Sequence, residues 1–99
     1  MARTDSALDA FVHAIADPTR RRIVRLLKEE RNPSGDEMSG LCAGDVEHRI
    51  KLAQPTVSHH MRILEKADVV TVRRQGHWRR YQRNEKLIRE MMKVLKEQL

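Results

Sequence analysis

The stretch QPTVSHHMRILEKADVVTVRRQGHWRRYQ, residues 54–82, decides the fold. Its first half has the period of a helix. Pro55 suits a first helical position, where its missing N–H leaves nothing unsatisfied. Val57, Met61 and Leu64 then fall on one stripe, and a rotation of about 100° per residue carries His59, Arg62 and Lys66 to the other side. The second half has the period of strands. Val69 to Arg74 and His77 to Gln82 flank Gln75-Gly76, where glycine supplies the positive φ of a tight hairpin turn. The expected register sets Val72 opposite Arg79 and Val70 opposite Tyr81. A helix with one free polar face runs directly into an arginine-studded hairpin, and the rest of the chain has to carry these two features.

Upstream of Gln54, a short helix from about Ala43 to Ile50 buries Val46 and Ile50, and Lys51 to Ala53 form a tight link. Further back, Leu8, Phe11, Val12 and Ile15 follow helical spacing until Asp17-Pro18. There Asp17 is the N-cap and Pro18 the first residue of a second helix, expected to run to about Glu30 with Ile23, Val24, Leu26 and Leu27 on one side. Arg31 to Gly40, with Asn32, Pro33, Gly35 and two serines, reads as an exposed loop. Downstream, Asn84 caps a last helix to about Gln98. Its Leu87, Ile88, Met91, Met92, Val94, Leu95 and Leu99 span an arc of about 160°, wider than one core contact requires.

The order helix, helix, helix, helix, hairpin, helix predicts a mostly α chain with a small β-hairpin, a winged helix-turn-helix, as a single domain over residues 1–99. A domain of this size keeps a modest core and gains from pairing with another chain.

Charge bounds the function. Lys and Arg number 20 against 14 Asp and Glu, a formal charge of +6. That balance suits a polyanionic partner and also an ordinary soluble surface, so placement decides. Arg73 to Arg83 holds five arginines and no acid, whereas Asp36 to Glu47 holds four acids and no Lys or Arg. No apolar run approaches the roughly 20 residues that cross a bilayer, and the N-terminus lacks a signal-peptide layout. A soluble, cytoplasmic protein with no membrane partner is expected. The single Cys42 excludes an internal disulfide, no CxxC or Cys/His ladder implies a metal or other cofactor, and no nucleophile with a base or phosphate-binding glycine loop implies an enzyme.

A recognition helix must bury one stripe while pushing polar groups into the major groove, where base edges differ in donors and acceptors. Gln54, Thr56, Ser58 and His59 lie in the first turns and reach base edges or phosphates; Arg62 is placed for the phosphate backbone. The hairpin thrusts Arg73, Arg74, His77, Arg79 and Arg80 beyond the body, a form suited to the negative potential of a minor groove. The plainer readings are an amphipathic surface helix and a sheet edge guarded by charge, or the same fold used as a protein-interaction module. Trp78 reads as cross-strand packing, His60 as structural because it sits near the buried stripe, and Arg20-Arg21-Arg22 as solvated or paired sooner than as phosphate contacts.

Three separated stretches, Ala16-Asp17-Pro18-Thr19-Arg20-Arg21-Arg22-Ile23, Gln54-Pro55-Thr56-Val57-Ser58-His59-His60-Met61 and Gly76-His77-Trp78-Arg79-Arg80-Tyr81, occur in an order that resembles the ArsR/SmtB repressors. The resemblance runs over nearly the whole chain. It implies a dimeric winged-helix repressor of double-stranded DNA, paired through its first and last helices, here at Leu8, Phe11, Val12, Leu87, Met91 and Leu95, with release by a metal or metalloid in many members. Two departures follow. Of the family's cysteine cluster, only Cys42 stands in Cys42-Ala43-Gly44-Asp45-Val46-Glu47, and Asn84 to Leu99 holds neither Asp nor His for the family's site on the last helix. Cys42 reads as structural before sensing; metal or redox sensing through it, with Asp45 and His48, is the alternative. The inducer is not written in the sequence.

Overall fold

The computed structural model describes residues 2–29 and 40–99; the expected loop from Arg31 therefore lies, Gly40 apart, outside the described residues. Proline at position 18 has no N–H to give, and α1 (Ala2–Ile15) ends just before it while α2 (Pro18–Glu29) begins on it. Asp17 accepts the Arg20 amide at 3.0 Å through Oδ2, the N-cap bond expected of it. After β1 (Leu41–Cys42) come α3 (Ala43–Ile50) and α4 (Gln54–Lys66). Lys51 adopts a left-handed φ of 62° and closes α3 with an amide bond to the Glu47 carbonyl at 2.8 Å, turning the chain into α4. Then follow β2 (Val70–Gln75), β3 (Trp78–Arg83) and α5 (Glu85–Gln98), where Asn84 Oδ1 accepts the Leu87 amide at 3.2 Å. The element order is that of a winged helix-turn-helix.

The core gathers one stripe from every element. Phe11 and Ala14 of α1, Ile23 and Leu27 of α2, Val46 of α3, and Val57, Met61 and Leu64 of α4 are all buried, with Val69, Val70 and Tyr81 closing it from the sheet. Each large apolar side chain so buried contributes about 1.5–3 kcal/mol. The α4 stripe is the one predicted, so its opposite face is turned outward.

Four expectations are corrected. The sheet has three strands in the order β1-β3-β2, because Leu41 and Cys42 pair antiparallel with Tyr81 and Arg80. Two residues at the edge of a glycine-rich stretch carry no strand period of their own. The hairpin register is displaced by two: Val72 opposes Tyr81 and Val70 opposes Arg83, with Gly76-His77 as the turn. Gly76, at φ 61°, takes the first turn position where a type II′ turn favours glycine, and the displacement by two keeps Val70, Val72 and Tyr81 on the core face. In α4, Gln54 is the first helical residue and Ala53 the cap, so Pro55 stands second. Of the expected interface residues, Leu8, Phe11 and Met91 are only 4%, 1% and 7% exposed, spent on the protomer's own core. Of the other three, Val12 is exposed and Leu87 and Leu95 are half-buried, and Met92 and Leu99 add apolar surface on the last helix that was not expected at the interface.

Candidate nucleic-acid interface

On α4, Gln54, Thr56, His59 and Arg62 are exposed and Ser58 is half-buried, while Val57, Met61 and Leu64 on the opposite side are sealed at 0–2%. The helix start is bare. Ala53 makes no side-chain capping bond, and the first backbone bond is from the Val57 amide to the Ala53 carbonyl at 3.0 Å. The amides of Gln54 and Thr56, ahead of that bond, add their partial positive charge to the helix end and favour an anion there.

The hairpin projects next to this helix in the chain, and its register concentrates charge. Arg73 stands opposite Arg80, and Arg74 opposite Arg79. Like charges on facing positions of two strands repel, a cost that a polyanion between them removes. Arg73, Arg74, His77 and Arg79 are exposed. A 3.9 Å ion pair from Arg79 to Glu65 ties β3 back to α4, and with the arginine side chain 51% exposed it restrains the wing only weakly. Arg80 differs from its neighbours: it is half-buried, and its guanidinium turns toward the Gly40 carbonyl at 3.5 Å, on the β1 side of the sheet. Of the five wing residues predicted from sequence, Arg80 thus serves the sheet first. Tyr81, next in β3, is buried under the sheet, and that burial raises its hydroxyl above the ordinary value.

A cluster that sequence reasoning missed holds α4 to the rest of the molecule. Arg20, only 7% exposed, gives Nε to the Ala14 carbonyl at 2.6 Å and one terminal nitrogen to the His13 carbonyl at 3.0 Å. Its other terminal nitrogen donates to His60 Nδ1 at 3.2 Å. Arg21 adds bonds to the Ile15 and Ala16 carbonyls at 2.7 and 3.0 Å. These two arginines supply donors at the end of α1, where a helix stopped by Asp17-Pro18 runs short of backbone amides and only the His13 carbonyl is seen to take one beyond the helix, from Ala16 at 3.3 Å. The Asp17 carboxyl is held below its ordinary range, first by the Arg20 amide bond and then by the Arg20 charge, against some desolvation. His60 is structural, as expected, but its partner is a charged residue and not the apolar stripe. The signal in the sequence was the abrupt helix stop followed by two arginines.

At the start of α3, Asp45 accepts the Cys42 amide at 3.2 Å, so its carboxylate is occupied at the helix start. Among the described residues no three His, Cys, Asp or Glu side chains come together as metal ligands. Among them, too, no helix is long and apolar enough to cross a membrane.

A polar helix face on a helix-turn-helix scaffold, next to a basic wing, is the layout of a winged helix-turn-helix, the fold class of DNA-binding transcriptional regulators. A family model described as a helix-turn-helix domain matches residues 15–73, and the chain is 32% identical over 81 residues to the arsenical resistance operon repressor of Staphylococcus xylosus, covering 82% of this chain and 69% of that protein. The chain belongs to the ArsR-type family of helix-turn-helix transcriptional regulators. It is also 33% identical over 97 residues, 98% of this chain and 99% of the relative, to an uncharacterized HTH-type transcriptional regulator of Methanocaldococcus jannaschii. Among solved structures, the homodimeric winged helix-turn-helix DNA-binding domain Mb0332 of Mycobacterium bovis superposes with a TM-score of 0.72 at 19% identity, over 95% of this chain and 80% of that one.

Proposed function

We propose that this protein is a homodimeric repressor of an inverted-repeat operator. Two α4 helices enter successive major grooves on one face of the duplex, and two wings lie along the flanking minor grooves. Gln54, Thr56, Ser58 and His59 select bases; Arg62, Arg73, Arg74, His77 and Arg79 neutralise phosphates or line the minor groove, with Arg80 in support. The observation that carries this reading is the pair of facing arginine rungs, Arg73 with Arg80 and Arg74 with Arg79, immediately after a helix whose polar face is unburied.

Dimerisation uses the apolar surface that the protomer leaves open. Met92, Leu95 and Leu99 line one apolar recess along α5, and Val12 of the adjoining α1 is 39% exposed. The homodimeric relative of similar fold supports this arrangement. The signal that releases DNA is read without the family's usual metal sites, since Cys42 is the chain's only thiol and Asp45 is engaged at its amide. The repressors among its relatives support repression as the outcome of DNA binding.

Operator selection from a random duplex pool, then fluorescence anisotropy at fixed salt, tests the proposal. Gln54→Ala is expected to narrow the gap between operator and random DNA by about 1–3 kcal/mol. Arg79→Ala weakens both alike and lowers the slope of log affinity against log salt by about 1. Equal loss of the gap in both variants, or no salt-dependent duplex binding by the wild type, refutes the assignment.

A further inference from the structure

Between α1, α2 and α5 lies a groove of about 290 Å³ that shares no residue with the α4 face and meets the wing only at Arg83, the last residue of β3. Its floor is hydrocarbon: Phe11 and Ile15 from α1, Val24 from α2, Ile88 and Met92 from α5. Its lip is cationic. Arg21, Arg25 and Lys28 stand at i, i+4 and i+7 of α2, one above another on a single helix face. A fourth cation, Arg83, reaches the groove from β3 but is already paired with Glu85 at 2.9 and 3.1 Å. Among the described residues no acid lines the groove, and Arg25 and Lys28 make no hydrogen bond or ion pair with any of them.

These features are chemically selective. An apolar floor without polar partners repels an inorganic anion's hydration shell, whereas three like charges at the lip oppose a neutral or cationic guest. A molecule with a hydrocarbon body and one anionic end satisfies both halves, and the volume falls at the small end of the roughly 300–1,000 Å³ usual for small-molecule sites. We propose that this groove binds an amphipathic organic anion, a medium-chain or aromatic carboxylate, with its chain on Ile15, Val24 and Ile88 and its carboxylate between Arg25 and Lys28.

The location makes occupancy consequential. Arg21, at one end of the lip, also donates to the Ile15 and Ala16 carbonyls, and its neighbour Arg20 joins the same corner to His60 of α4. A carboxylate seated between Arg25 and Lys28 lies one helical turn from Arg21 and so changes the charge felt at the joint that holds the DNA-facing helix.

Binding is measured on the full chain without DNA, so its failure and a failure of the repressor reading are told apart. Decanoate, decanol and acetate are titrated while the methyl resonances of Ile88 and Met92 are followed by NMR. Decanoate is expected to shift both methyls, acetate to leave them unmoved, and decanol to bind at least about tenfold more weakly. The doubly substituted Arg25→Gln/Lys28→Gln chain, altered only at exposed positions, should bind decanoate about tenfold more weakly with decanol unchanged, and Arg22→Gln should match the wild type. The proposal is overturned if decanol binds as tightly as decanoate, if the double variant binds decanoate like the wild type, or if binding disappears at concentrations where sedimentation shows a dimer, which would make a second copy the groove's occupant.

Discussion

Replacing Arg20 by methionine tests how the DNA-facing helix is held. The substitution keeps an unbranched side chain of similar length and removes only the guanidinium. Three acceptors then lose a donor: the carbonyls of His13 and Ala14 and Nδ1 of His60. Ala14 is fully buried, so water cannot replace the lost bond at its carbonyl without opening the corner. Hydrogen bonds from a charged group are each worth about 1.5–3 kcal/mol, and stranding buried partners places the loss at about 3–5 kcal/mol after the gain from an added apolar side chain. In a domain of this size that corresponds to a drop in Tm of roughly 4–8 °C per kcal/mol. Urea denaturation followed by circular dichroism measures it, at one fixed protein concentration so that subunit association does not enter. Arg22→Met, exposed on the same helix, is the control and should change stability by no more than about 0.5 kcal/mol. If Arg20→Met falls within about 0.5 kcal/mol of that control, the joint does not hold α1, α2 and α4 as described.

Four further outcomes are expected. Gly40 holds φ at 111°, and an added Cβ would stand 2.5 Å from the Tyr81 carbonyl oxygen, so Gly40→Ala should cost about 2–4 kcal/mol in urea denaturation. Gly44→Ala, where nothing lies within 4 Å of the new carbon, should be neutral or stabilise by up to about 1 kcal/mol. Asn84→Ala removes the bond to the Leu87 amide and should lose about 1 kcal/mol without changing the fold by circular dichroism. The Asp17 carboxyl titrates below its ordinary value of 3.8, so its share of stability is present above that value and is lost as the pH falls through the lower folded value. Urea midpoints at about pH 6 and about pH 3 should therefore fall further for the wild type than for Asp17→Asn, which keeps a capping oxygen that does not titrate.

The sequence by itself determined the helices, their order and the face of α4 that stays outside. Those features rest on local chemistry: the period of Val57, Met61 and Leu64, the stop at Asp17-Pro18, the cap at Asn84. It also singled out the arginine hairpin, because charge density is a property of composition along a short stretch. What only the tertiary structure decided depends on partners distant in the chain. Leu41 and Cys42 become a strand because β3, some 40 positions later, offers its edge. The rungs of facing arginines exist because Gly76 and not Gln75 opens the turn, a choice enforced by burying Tyr81 with Val72. Arg20 is drawn inside by carbonyls at the end of α1 and by a histidine 40 residues away. Leu8, Phe11 and Met91 turn inward for a similar reason: periodicity marks which side of a helix is apolar, but whether its own chain or a second one covers that side is decided by packing geometry, which no single helix encodes.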